Sequence, residues 1–220
     1  MILQIEDFLT TSEVEKLRQI ASQATFVNGR ITNPHNKSKN NEQIDRAAPG
    51  FQESSQLMTQ AFVRNERLND FAMPTRLAPP LLCKYDVGMS YGAHSDVALL
   101  KVQQPPVLRS DISATIFLND PDSYDGGELV LHFEDRKVPI KLKAGSMVAY
   151  PSTTLHEVAE ITRGQRLVAI TFLQSQIIEE RHRHMIYTLG EVSALEGLTM
   201  KPENRNRLDL VRQNLIRMWS

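Results

Sequence analysis

From about residue 77 the periodicity of the chain changes, and that change limits the fold more than any other feature. Before it, apolar residues recur at helical spacing. Val14, Leu17, Ile20, Ala21 and Ala24 follow Ser12 and Glu15, which read as a capping box. A second helix is expected within 51–68, where Leu57, Met58, Ala61 and Phe62 form a stripe. Between the two lies the polar stretch 28–50, which has little to bury and is expected to be a long loop. Beyond residue 77 come "LLCKY", "ISATIFL", "ELVLHF", "VPIKLK", "SMVAYP", "LHEVAEI" and "LVAITFL", short runs rich in β-branched residues. The segments "DVG", "NDPDSYDGG", "EDRK", "KAGS" and "RGQ" separate them with turn formers. Together with a strand around His94 they make about eight strands, the pattern of a sandwich or jelly roll. Helical spacing returns in "IIEERHRHMIYTL" and "RNRLDLVRQNLIRMWS". The expected architecture is therefore mainly β with flanking helices. A jelly-roll core (a double-stranded β-helix) over 77–175 would sit between an N-terminal helical support region, 1–76, and a C-terminal helical region, 176–220.

Composition removes several function classes. The formal net charge of the 220-residue chain is −1, so no global attraction to nucleic acid or an anionic membrane is expected. Five basic residues against two acidic ones in 201–220 read as a solvated helix face. Cys83 is the single cysteine, which rules out an internal disulfide and a cysteine-rich zinc site. The opening "MILQIEDFLTTSEVEK" lacks the basic and apolar regions of a signal peptide, and no apolar run is long enough to span a bilayer. A reducing, cytoplasmic setting is the resulting expectation. Oligomeric state has no legible signature, and a homo-oligomer is compatible with the chain.

The stretch "YGAHSDVALL" (91–100) sets His94 and Asp96 two places apart in a region of strand character, so both are expected on one face. An imidazole and a carboxylate so placed make a salt bridge, half of a catalytic dyad, or two ligands of a metal. His156 opens another expected strand sixty positions after Asp96. Two histidines and one carboxylate drawn from two strands have the composition of a facial metal triad with open positions. Arg166 adds to this. "HEVAEITRGQRLVAITFL" reads as a hairpin turning at "RGQ", which would put Arg166 on the face of His156. Its guanidinium suits a carboxylate held by two parallel bonds.

Five motifs in order, "KYDVGMSYGAHSD", "ISATIFLND", "GGELVL", "AGSMVAYPSTTLHEV" and "RGQRLVAITF", resemble the Fe(II)- and 2-oxoglutarate-dependent dioxygenases of the prolyl-hydroxylase type. The match is nearest to the bacterial PKHD-type hydroxylases, a group associated with iron uptake. The resemblance implies Fe(2+) bound by His94, Asp96 and His156, and the distal carboxylate of 2-oxoglutarate bound by Arg166. It also implies a tyrosine, Tyr85, lining the cosubstrate pocket. O2 would be the second cosubstrate, succinate and CO2 the by-products, and L-ascorbate (vitamin C) the auxiliary reductant. The substrate would be a peptidyl side chain or a small metabolite. Some relatives carry a tyrosine where this chain has Phe117, so one hydroxyl donor to the diacid is lost.

Two other readings compete. "GSMVAYPSTTLH" has the spacing of a cupin second motif, which would make the chain a metal-binding protein or sensor without 2-oxoglutarate chemistry. The first cupin motif wants two histidines and a glutamate, however, and Arg166 has no task there. A halogenase of the same fold needs a small residue where Asp96 stands. His132 reads as a strand-face residue, and His182 and His184 lie two apart on a helix, where they do not face one another.

Overall fold

The computed structural model describes residues 1–101 and 107–220. Two sheets face each other. The larger runs, edge to edge, β1 (Leu3–Ile5), β14 (Met147–Pro151), β10 (Ile112–Phe117), β17 (Arg166–Ser175), β6 (Leu81–Tyr85), β4 (Glu42–Ile44) and β2 (Phe26–Asn28), with β5 (Pro74–Leu77) also pairing with β17. The smaller runs β13 (Lys137–Ile140), β12 (Leu129–His132), β15 (His156–Val158), β7 (Ser90–His94) and β3 (Lys39–Asn40). Two short ribbons complete it: β8 (Leu99–Leu100) with β9 (Leu108–Arg109), and β11 (Asp125–Gly126) with β16 (Ile161–Arg163). All eight expected strands are present, in a jelly-roll core.

The strands of the large sheet read as apolar runs because both their faces are covered. Every residue of β10 and of β14 is buried. One face looks across the interior to the small sheet. The other is covered by α1 (Thr11–Gln23), α2 (Pro49–Arg64) and α3 (Glu66–Ala72), which bury Val14, Leu17, Ile20, Met58, Phe62 and Leu68. At the C-terminus α4 (Glu180–Glu196) packs on α3, and α5 (Pro202–Trp219) lies on α4 with no buried residue of its own. The ring of His182 stacks on Trp219.

Three local expectations are corrected. The cap of α1 is Thr10 with Glu13, two residues before the expected pair Ser12 and Glu15. Leu9 donates its N–H to the Gly145 carbonyl, which fixes where the chain turns into the helix and so which threonine caps it. The stretch 28–50 is not a long loop. It contributes β3 to the small sheet and β4 to the large one, and it buries Lys39, Asn41 and Gln43. Lys39 and Gln43 find a partner in Thr32 inside, so polarity was a poor guide to exposure there. Nor is there a hairpin at "RGQ". β16 pairs with β11, while β17 joins the opposite sheet between β10 and β6. Gly164, at φ 73°, turns the chain at this crossing, where a Cβ would lie 2.3 Å from the Ser123 carbonyl.

The N-terminal helices are clamped by a bidentate ion pair between Arg64 of α2 and Glu13 of α1. The guanidinium lowers the Glu13 pKa to about 2. A carboxyl depressed in the folded state contributes stability that is complete above its unfolded pKa near 4.5 and is lost as pH falls toward 2. Arg64 is about half exposed, so solvent screening limits the pair to ~1 kcal/mol or less. Denaturant unfolding of wild type and Arg64→Met as a function of pH should show that difference at pH 7, shrinking below pH 4.5 and absent near pH 2.

Candidate metal centre and cosubstrate pocket

The antiparallel register of β7 and β15 sets His94 directly opposite His156, with ring centroids 4.2 Å apart. β7 ends at His94. Asp96 therefore lies just past the strand, with its carboxylate on the same side as His94. One ligand atom from each of His94, Asp96 and His156 falls within 4.8 Å of the other two. The Nε2 of His156 is 3.8 Å from Asp96 Oδ2.

Each imidazole is held from behind. His94 Nδ1 lies 2.8 Å from the Gly92 carbonyl, and His156 Nδ1 lies 2.9 Å from that of Thr154. A carbonyl only accepts, so Nδ1 carries the proton and Nε2 keeps a lone pair, the tautomer a metal needs. Burial first, and then the neighbouring His156, push the His94 pKa down to about 4, so its ring is neutral at physiological pH. Burial raises the Asp96 pKa, opposed by His156 and by the hydroxyl that Ser113 donates to its Oδ2. Ser113 spends its one proton on the carboxylate, so Ser152, 2.7 Å away, donates to Ser113. The Tyr91 ring stacks on His94 at 3.5 Å, and its hydroxyl accepts from Asn33. Two imidazoles that each present Nε2 and a positioned carboxylate, with their donor atoms converging, fit a divalent metal of the iron type.

Arg166 reaches the same interior from the other sheet. As the first residue of β17 it pairs with Tyr85 of β6 and is 2% exposed. Its guanidinium carbon lies 5.1 Å from the Tyr85 ring centre and 5.8 Å from that of Phe117. The position that lost a hydroxyl to phenylalanine thus offers an aromatic face instead. Gly127 makes room for the stem, since a Cβ there would lie 3.0 Å from Arg166 Cδ and 2.3 Å from Ile161 Cδ1. Among the described residues no carboxylate forms an ion pair with Arg166, and its Nε has no hydrogen-bond partner. Burying an unpaired guanidinium costs several kcal/mol, so this position calls for an anion from outside the protein. A ligand carboxylate fits it.

Both groups open into one cavity of about 1320 Å³, counting its mouth. Phe51, Pro79, Leu81, Val97 and Leu100 give it apolar walls. Tyr85 and Tyr150, both buried, keep their phenolic protons because burial raises their pKa values. All five residues singled out from the sequence, His94, Asp96, His156, Arg166 and Tyr85, line this cavity. Sequence reading missed Ser113, Ser152, Tyr150 and Lys39. The serine and threonine at alternate positions of "ISATIF" were the one available signal, since a buried strand seldom carries hydroxyls on one face without a use for them.

Residues 81–174 match the family model of the 2OG-Fe(II) oxygenase superfamily. The chain is 44% identical over 218 residues to a PKHD-type hydroxylase of Sphingopyxis alaskensis, covering 99% of each. To one of Gluconacetobacter diazotrophicus it is 39% identical over 224 residues, covering 100% of this chain and 99% of the relative. Among solved structures it shares its fold with a Pseudomonas putida prolyl-4-hydroxylase (TM-score 0.55, 19% identity, 79% of this chain and 92% of the other). It also shares it with a Trichoplax adhaerens prolyl hydroxylase in complex with a hypoxia inducible factor peptide fragment (TM-score 0.57, 19% identity, 84% and 86%). The cupin alternative leaves the buried arginine without a purpose and is not favoured. Near-complete coverage by relatives of this identity makes the chain a member of the PKHD-type hydroxylases, 2-oxoglutarate-dependent dioxygenases of the 2OG-Fe(II) oxygenase superfamily.

Proposed function

We propose that His94, Asp96 and His156 hold the iron of this hydroxylase, and that Arg166 holds the distal carboxylate of 2-oxoglutarate with Tyr85 beside it. The observation that carries the assignment is a buried arginine without a protein counter-charge, opening into the cavity of a His-Asp-His cluster. When bound, iron with 2-oxoglutarate and O2 supplies oxidative decarboxylation to succinate and CO2 coupled to hydroxylation of a C–H bond. The protein's part is placement. The backbone carbonyls of Gly92 and Thr154 fix the two imidazoles, and the Ser152–Ser113 relay aims Asp96. Arg166 orients the diacid, and the apolar walls exclude water. In this reading residues 77–175 carry the chemistry, 1–76 support and close the site, and 176–220 brace the support. L-Ascorbate serves as auxiliary reductant, and the enzyme works in the reducing cytoplasm, where the lone buried Cys83 stays a thiol. The substrate is a small molecule or a peptidyl side chain.

Asp96→Ala should abolish hydroxylation and the visible charge-transfer band of anaerobic Fe(II) with 2-oxoglutarate. The melting temperature of the metal-free protein should not fall, because removing a buried carboxylate relieves desolvation. Persistence of the band in this variant would remove Asp96 from the metal.

Arg166→Ala should raise the apparent KM for 2-oxoglutarate by about 10²–10⁴-fold, the equivalent of the ~3–5 kcal/mol lost when one partner of a buried charged pair is truncated. Iron affinity should change far less. Arg166→Lys should recover only part of the loss, since an ammonium cannot make two coplanar bonds. Steady-state kinetics with 2-oxoglutarate and with a monocarboxylic 2-oxo acid check this. Equal losses for both cosubstrates would move the clamp elsewhere.

A further inference from the structure

The cavity contains more positive charge than iron and 2-oxoglutarate account for. Among the described residues its lining includes four cations, Lys39, Arg46, Lys101 and Arg166, and one carboxylate, Asp96. On the assignment above, the two charges of Fe(II) and the one of Arg166 are cancelled by Asp96 and the doubly charged cosubstrate. Lys39, Arg46 and Lys101 then remain without counter-charge.

Lys39 is the informative one. Arg46 and Lys101 are exposed at the mouth and can be neutralised by solvent ions. Lys39 is 6% exposed. Its Nζ donates to Thr32 Oγ1 at 2.7 Å and lies 5.3 Å from the centre of the Tyr91 ring, the same ring that stacks on His94. Among the described residues it forms no ion pair with a carboxylate. Thr32 in turn has Gln43 Oε1 within 3.0 Å, so the hydroxyl that receives the ammonium is itself oriented. An ammonium has three protons to donate, and only one is used by a side chain here. Holding a lysine in this way, one aromatic ring from a metal ligand, costs desolvation that one hydrogen bond and one ring face return only in part. The backbone around it is equally fixed, since Lys39 pairs with Tyr91 as part of the small sheet.

We infer that Lys39 is a substrate-binding residue, and that the molecule hydroxylated is a small anion whose carboxylate or phosphate sits on Lys39 beside the metal, drawn in past Arg46 and Lys101. This deepens the proposed function and rests on its placement of the metal.

The test uses anaerobic Fe(II)–2-oxoglutarate enzyme and matched probes presented at equal concentration. One arm pairs small carboxylic acids with their primary amides, the other pairs phosphate monoesters with the parent alcohols. Retention is read by ligand-observed NMR and the cosubstrate by its charge-transfer band. Wild type should retain anions at least about tenfold over their neutral partners in one arm, which identifies the anion's chemistry. Lys39→Met, close in length and apolar, should bring that preference to within about threefold while keeping the band at the same cosubstrate concentration. Lys39→Arg should restore most of it. Arg46→Gln, on the exposed rim, should weaken retention about two- to threefold without touching the interior, and so guards against misfolding of the buried variants. The inference is overturned if wild type retains no anion above its neutral partner. It is also overturned if Lys39→Met loses the band and leaves anion retention intact, which would make Lys39 a cosubstrate contact. Absence of the band in wild type alongside a Lys39-dependent anion preference would instead bring down the iron and 2-oxoglutarate assignment and leave Lys39 in place.

Discussion

The pairing of β7 with β15 is the constraint on which the rest of this molecule depends. Its register makes His94 and His156 cross-strand neighbours, and a slip of one residue in either strand would turn its imidazole to the far side of the small sheet, away from the other. Much else at the site refers to that pair. Asp96 follows two residues past the end of β7, and its carboxylate converges on both histidines. Tyr91 is on β7 and stacks on His94, while Tyr150 meets His156 edge-on from the facing sheet at 5.2 Å. β12 and β3 flank the pair on either side, so the two strands that carry the histidines are interior to their sheet.

The site is built across a gap between two layers and not within one. The His-Asp-His cluster belongs to the small sheet, and Arg166 and Tyr85 to the large one. A ligand that touches both layers exchanges desolvation costs already present in the free protein for ion pairs. That is why an enclosed guanidinium and an enclosed ammonium are informative here. Each buried cation without a protein carboxylate against it marks where an anion is expected to dock.

The N-terminal third is better understood as part of the site than as packing around it. β4 extends the large sheet and β3 the small one, so residues 28–50 join the two layers at their open edge. This brings Lys39, held by Thr32, over the Tyr91 ring and Asn33 to its hydroxyl. The clamp between Glu13 and Arg64 holds α1 and α2 together on the outer face of the same large sheet, which keeps that edge in place.

What the sequence by itself determined is local. Period-two runs of β-branched residues between glycine- and aspartate-rich turns dictate short strands, because only a pleated chain buries such residues on alternating or doubly covered faces. The spacing of His94 and Asp96 forces them to one side of an extended segment, and five ordered motifs carry the resemblance that names the chemistry. Tertiary structure alone decided which strands pair. "RGQ" is as good a hairpin turn as any by composition, yet β15 and β17 part there into different sheets, because β17 gains more by inserting between β10 and β6, where it is buried along most of its length. The same holds for 28–50, whose polar residues look solvated until β3 and β4 dock on the two sheets, which buries Lys39 against Thr32 and gives Gln43 an enclosed slot. Pairing and burial of this kind are long-range, set by the competition of every strand for every edge, and no window of the sequence contains the competitors.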